Sequence, residues 1–199
     1  ADISSANYPG ALYFVEGVYV ADDETNIVNK MNNASHRRVT FSGTALSLTG
    51  ATQVAQPAIM AWAANDPDVQ HQIVDVPSEG RFHVASKASD NGNGTFRYTY
   101  SVFNLNSHVS GGSFSIPLPE GITATNIGFH DVNYHSGEPY DNTDWVVEAG
   151  SNTVTWHSPQ TFDQNQNSNA LRWGTMYTFW FDADAAPSTG QATMALFRP

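Results

Sequence analysis

The sequence predicts an all-β fold, an antiparallel β-sandwich in which two sheets of about a dozen short strands pack together. Apolar and polar residues alternate within many short segments, as they do in strands that bury one face. Turn residues (Gly, Pro, Asn and Asp) separate these segments at intervals of roughly eight to twelve residues, and helical periodicity is almost absent. A jelly roll or a closed barrel is the alternative, because both use the same alternation and the same turns.

The chain of 199 residues has the length of one domain with a large core. Residues 1–10 are polar and end in a Pro-Gly turn, so we expect an N-terminal arm there and a single β-sandwich domain over residues 11–199. Charged residues make up only 14% of the chain, and uncharged polar residues replace them. This composition is typical of extracellular β-proteins and favours a secreted or cell-surface location.

The formal net charge of −11 opposes binding to nucleic acid and to anionic membrane surfaces, since both carry negative charge. It favours cations as partners, and calcium is the first to consider. The chain has no cysteine, which excludes disulfides and thiolate metal sites. It also has no apolar run of about 18 residues, so we expect no membrane insertion.

Strand candidates follow one another along the whole chain. In the first part they are residues 11–20 and 38–48, the latter interrupted at Gly43, with a polar stretch that we interpret as mostly loop at 21–35. Further on they are residues 70–76, 81–88, 95–105, 112–118, 122–129, 145–148, 153–157, 172–182 and 191–198. Residues 90–94 (DNGNG) predict a tight hairpin between two of them, because Asn-Gly steps supply positive φ angles.

Residues 172–182 (RWGTMYTFWFD) predict the central core strand. Its apolar face consists of Trp173, Tyr177, Phe179 and Phe181. We expect these rings to fill the core.

Residues 129–145 (FHDVNYHSGEPYDNTDW) combine metal-binding and sugar-stacking side chains in a Gly-Pro loop. Hard oxygen ligands for calcium are offered by Asp131, Asn133, Glu138, Asp141 and Asp144. The spacing is not that of an EF-hand, and an acidic loop satisfied by its own backbone is the competing interpretation.

A transition-metal site at His130 and His135 is an alternative use of the same loop. On an unbroken strand these residues point to opposite faces, so a shared metal needs a bulge or a further histidine. The pair Asp131 and Glu138 is the candidate for glycoside hydrolysis, which requires two carboxyl groups. Three aromatic residues of the loop, Tyr134, Tyr140 and Trp145, are the candidate ligand-binding rings, because their neighbours are polar and flat rings stack on sugars.

Three segments, NALRWGTMYTFWFDAD (169–184), FNLNSHVSGGSFSIPLPEG (103–121) and FHDVNYHSGEPYDNTDW, resemble a group of uncharacterised, predicted-secreted bacterial proteins. ALYFVEGVYVADDE and NNASHRRVT are similar to the same group, so the likeness extends over nearly the whole chain. The resemblance implies secretion but no activity. In that group the matching region is a C-terminal half that follows a cysteine-containing N-terminal half. The resemblance therefore implies that this chain comes from a longer precursor, whose N-terminal half is a candidate partner.

Three functions are compatible with these observations. The first is a non-enzymatic, extracellular β-sandwich module that binds a surface polymer or a protein, with calcium as a structural ion. The second is a surface-layer or filament subunit whose arm or strands pass between copies of itself. The third is a metal-dependent enzyme that uses His130 or His135 with nearby carboxylates. Because no strong catalytic motif occurs, the sequence favours the first.

Overall fold

The computed structural model describes residues 7–20, 24–135 and 137–199 and is nearly all β. Its described strands form three antiparallel sheets, none of which closes into a barrel. The predicted β-sandwich class is therefore confirmed, and the closed-barrel alternative is wrong. No helix in the described ranges is long and apolar enough to cross a membrane.

The elements in chain order are β1 (Tyr13–Val18), α1 (Ile27–Lys30), β2 (Ala34–Ser42), β3 (Ala45–Gln53), α2 (Met60–Asn65), β4 (Gln70–Val76), β5 (Gly80–Asp90), β6 (Phe96–Asn104), β7 (Gly111–Pro117), β8 (Thr125–His130), β9 (Val146–Ala149), β10 (Thr153–His157), β11 (Met176–Ala183) and β12 (Thr193–Leu196).

The chain divides into two compact units, residues 1–66 and residues 67–199. The single domain predicted over residues 11–199 stays a prediction, because two such units can belong to one domain or to two. Of the predicted arm, residues 1–6 lie outside the described residues, and residues 7–10 form a turn.

The first unit contains the three-stranded sheet β1-β2-β3. The single strand predicted over residues 38–48 is in fact parts of two strands, because the chain reverses at Gly43, whose φ is +61°. The predicted loop over residues 21–35 carries the short helix α1 and the start of β2, and its residues 21–23 lie outside the described ranges.

The second unit is a sandwich of a five-stranded sheet, in the order β4-β5-β6-β11-β8, and a four-stranded sheet, in the order β12-β7-β10-β9. The hairpin predicted around residues 90–94 joins β5 to β6, so that prediction is confirmed. Rings from both sheets meet in the core: Phe179 of β11 lies 4.9 Å from Phe114 of β7 and 5.3 Å from Trp156 of β10, between ring centroids.

Strand β11 is an interior strand between β6 and β8, and its inward side chains Tyr177, Phe179 and Phe181 are buried as predicted. The prediction that Trp173 belongs to the same core face is wrong. The strand begins at Met176, so Trp173 precedes it in a turn and is 43% exposed. The alternation of side chains does not extend beyond the strand that produces it.

Candidate functional site

The loop that the sequence singles out connects the two sheets of the sandwich. Strand β8, at the edge of the five-stranded sheet, ends at His130, and β9, at the edge of the four-stranded sheet, begins at Val146. Beyond His130, at Tyr134, the side chain of Asn142 occupies the place of a neighbouring strand. The side-chain Oδ1 of Asn142 accepts from the backbone N–H of Tyr134 at 2.8 Å, and its Nδ2 donates to the Tyr134 carbonyl at 2.9 Å.

One side of this loop forms the wall of a cleft of about 330 Å³, which we call the arginine cleft. The loop contributes five of the residues that the sequence predicts for a site, namely Asn133, Tyr134, His135, Glu138 and Tyr140. Other parts of the chain contribute His108, Arg172, Trp173 and Arg198. The structure therefore gathers predicted site residues in one concave place and adds cations that the sequence analysis missed.

Arg172 is the central cation of the cleft and is only 4% exposed. Its Nη2 donates to the carbonyls of Gln166 at 2.9 Å and Ser168 at 2.7 Å. The guanidinium carbon lies 4.3 Å from the centroid of the Tyr140 ring and 4.7 Å from that of Phe197. Cation–π attraction and charge-assisted hydrogen bonds thus hold the side chain in place.

The charge of Arg172 is nevertheless incompletely compensated. Within the described residues, its Nε and Nη1 have no hydrogen-bond partner, and no carboxylate forms an ion pair with it. Burial lowers the pKa of Arg172, and repulsion by Arg198 acts in the same direction. A guanidinium still stays charged at neutral pH, so the cleft contains a desolvated positive charge.

Arg198 supplies a second cation at the rim. Its Nη1 donates to Nε2 of His108 at 2.7 Å, and its guanidinium carbon lies 5.4 Å from the centroid of the Phe162 ring. The charge at the rim is therefore that of the Arg198 guanidinium, and its hydrogen bond to His108 orients it.

The two tyrosines of the loop pack edge to face beside Arg172, with ring centroids 5.1 Å apart. Both rings are half-buried, and the hydroxyl of Tyr134 is buried. Burial raises the pKa of Tyr134, so its hydroxyl remains protonated and able to donate at neutral pH. These two predicted ligand-binding residues lie in the cleft.

The prediction that Trp145 is an exposed ligand-binding ring is wrong. Trp145 is 4% exposed, its ring stacks on Phe129 with centroids 5.8 Å apart, and its Nε1 donates to the Asn169 carbonyl at 2.9 Å. Polar neighbours in the sequence suggested a surface position. The side chain points inward instead, because rings from β8 and β11 provide an apolar site and Asn169 accepts the indole N–H.

Asp131 also faces the interior rather than an ion site. Nδ2 of Asn169 donates to Oδ2 of Asp131 and to the Thr143 carbonyl, and Oδ1 of Asn169 accepts from the Tyr177 hydroxyl at 2.6 Å. Burial raises the pKa of Asp131, and the charge of Asp144 adds to this effect. Asn169, which is fully buried, thus ties the loop to the sandwich.

The remaining predicted metal ligands lie in different surroundings. Oδ1 of Asp141 accepts two hydrogen bonds from Thr143, which stabilise a turn and lower the pKa of the aspartate. Asn133, Glu138 and Asp144 are exposed, as are the alternative ligands His130 and His135. Among the described residues, no three His, Cys, Asp or Glu side chains form a group able to hold a metal ion. The calcium and transition-metal sites stay predictions.

Comparison with known proteins gives no relative, because no family model, no curated protein and no solved structure matches this chain. The resemblance to predicted-secreted bacterial proteins therefore stays a prediction. Function is inferred from the arginine cleft itself.

Proposed function

We propose that this chain is a non-enzymatic, extracellular binding module whose arginine cleft holds a carboxylate group of an acidic surface polysaccharide. The observation that carries this proposal is the buried guanidinium of Arg172, in which two donor nitrogens, Nε and Nη1, have no hydrogen-bond partner and which forms no ion pair with a carboxylate within the described residues.

The physical argument starts from the cost of an unpaired buried cation. Removing a guanidinium from water costs several kcal/mol, and buried arginines are therefore normally paired with carboxylates. This chain has 19 acidic residues and a net charge of −11, so partners are abundant in the sequence. A cation that stays unpaired in so acidic a protein attracts a carboxylate from outside to the cleft that it lines.

The rest of the cleft suits a sugar acid. Trp173, 43% exposed, offers a ring face on which the C–H surface of a sugar can stack. Asn133 offers an uncharged amide that can bond hydroxyls. The combination of a cation, a ring and an amide favours a uronic acid unit over a simple inorganic anion.

Isothermal titration at low salt tests the proposal, with hexagalacturonate and hexamannuronate as probes and methyl-esterified hexagalacturonate as the uncharged control. We expect at least one acid to bind, with at least tenfold weaker binding of the ester and weakening as salt is added. Arg172→Met should reduce acid binding at least tenfold, because it keeps a side chain between the two rings but removes the charge. The matched control is Arg38→Met, since Arg38 is an exposed arginine of β2. Equal binding by folded Arg172→Met and the wild type would refute the proposed role.

A second candidate function, self-assembly, is supported by strand β3. Within the described strands β3 pairs only with β2, so its other edge is free, and its nine residues include no charge and no proline. Leu46 and Leu48 on this strand are 49% and 53% exposed. Such an edge can pair with another strand, which charged residues normally prevent. Light scattering over a range of concentrations tests this: a monomer at every concentration excludes it, and a defined oligomer that Leu48→Lys dissociates supports it.

Structural calcium is the remaining part of the proposal. Elemental analysis of the purified protein tests it, since stoichiometric calcium supports the ion and a metal-free protein of unchanged stability after chelation excludes it. The same measurement tests zinc or copper at His130 and His135.

A further inference from the structure

A second cleft has a volume of about 220 Å³. It differs from the arginine cleft in charge, because none of the described residues that line it is charged. We call it the tyrosine cleft. Its floor is the inner face of β4, β5 and β6, and its walls are the end of β7 with the loop that follows and the segment 185–192 between β11 and β12.

Strand register explains the chemistry of the floor. Gln70 of β4 pairs with Ser86 of β5, which pairs with Tyr100 of β6. Paired residues on neighbouring strands lie on the same face and about 5 Å apart, so an amide, a hydroxyl and an aromatic ring form one row. Gln72, two residues further along β4, shares this face and adds a second amide.

The polar groups of this row are not used by the fold. Within the described residues, the side chains of Gln70, Gln72 and Ser86 form no hydrogen bond, and both glutamines are exposed. An amide group both donates and accepts, which matches a sugar hydroxyl that also does both.

The rings, by contrast, are fixed. Tyr98 stacks on Phe181 with centroids 5.0 Å apart and 16° between the planes, and its hydroxyl donates to the Ala185 carbonyl at 2.6 Å. Tyr100 packs against Phe114 and Phe181. Both rings are half-buried, so each offers a preorganised surface to the cleft at little further cost in side-chain entropy.

We propose that the tyrosine cleft binds a neutral, hydroxyl-rich sugar unit, at a site separate from the arginine cleft. Uncharged amides, a hydroxyl and fixed rings are complementary to sugar hydroxyls and to the C–H face of a sugar ring. The absence of charged lining residues disfavours a charged ligand, because nothing in the cleft compensates its desolvation. The volume is smaller than the roughly 300–1,000 Å³ of a drug-sized pocket, so the cleft suits about one sugar unit of a chain.

Chemical-shift titration of ¹⁵N-labelled protein tests this site, with cellohexaose, xylohexaose, mannohexaose and laminarihexaose as probes. We expect at least one probe to shift the side-chain amide signals of Gln70 and Gln72. The double variant Gln70→Ala/Gln72→Ala should bind that probe at least tenfold more weakly with unchanged stability, because both side chains are exposed and unbonded. The matched control is Gln53→Ala, an exposed glutamine of β3.

Three results overturn the proposal: no shift with any of the four probes at 5 mM, shifts that map away from β4 to β6, or wild-type affinity of the double variant. The acidic probes of the arginine cleft should not shift these two amide signals. A failure at the tyrosine cleft is therefore distinguishable from a failure at Arg172, since the two sites are read by different ligands and different variants.

Discussion

Asn169 holds the loop of the candidate site against the sandwich, and Asn169→Ala tests this role. The residue is fully buried, and its side chain joins three partners from different parts of the sandwich. Its amide donates to Asp131 and, at 3.0 Å, to the Thr143 carbonyl, while its carbonyl oxygen accepts from Tyr177 at 2.6 Å.

The expected loss follows from these bonds. A neutral hydrogen bond contributes about 1 kcal/mol to the free energy of unfolding, and one to a charged group about 1.5–3 kcal/mol. In the variant, the Tyr177 hydroxyl keeps its hydrogen bond to the Ala170 carbonyl at 2.8 Å. The half-buried carboxylate of Asp131, however, loses the amide that donates to it. We therefore expect Asn169→Ala to lower the free energy of unfolding by about 4 kcal/mol.

Urea denaturation followed by tryptophan fluorescence measures this change. The matched control is Asn167→Ala, in the same segment between β10 and β11 as Asn169. Its side chain is exposed, so the loss in free energy of unfolding should stay below about 0.5 kcal/mol. Asn169→Asp tests the electrostatic part of the reasoning, because it places a second carboxylate next to that of Asp131. It should destabilise more than alanine at pH 7 and recover part of the loss as the pH falls and one carboxyl takes up a proton. A loss under 1 kcal/mol for Asn169→Ala, with an unchanged denaturant slope, would refute the reasoning.

Two further predictions concern the five-stranded sheet. Gly128→Ala should lower the free energy of unfolding in urea by about 2 kcal/mol, because a Cβ there would lie 2.1 Å from ring carbons of the paired Trp180. Gly150→Ala should cost much less, because a Cβ there would be in ordinary contact with the Thr153 carbonyl oxygen at 3.9 Å. Equal losses would contradict the packing argument. His83 is 2% exposed, and burial lowers its pKa from 6.5 to about 4. The histidine therefore takes up its proton at a higher pH in the unfolded chain than in the folded one. As a result, the free energy of unfolding should fall by about 2–3 kcal/mol as the pH drops from about 6.5 to about 4. This part of the pH dependence should vanish in His83→Gln and persist in the exposed control His130→Gln; an unchanged profile in His83→Gln would contradict it.

Local signals decided the elements of this fold. The Asn-Gly steps in residues 90–94 place the β5–β6 hairpin, because turn geometry depends on the conformational freedom of a few adjacent residues. The alternation in β11 identifies Tyr177, Phe179 and Phe181 as buried, because successive side chains of a strand point to opposite faces. The crowded composition of residues 129–145 likewise marks the loop that lines the arginine cleft.

The tertiary structure decided which side chains of that loop reach the cleft. Trp145 has polar neighbours and is still buried, because Phe129 and Tyr177 approach it from strands far away in the sequence. Arg172 gave no local signal in the sequence, since it acquires its role from the Tyr140 and Phe197 rings that enclose it. Turn and strand formation depend on neighbours along the chain, whereas burial and charge compensation depend on neighbours in space. For that reason the sequence alone determined the β architecture and the position of the loop, while only the fold decided its chemistry.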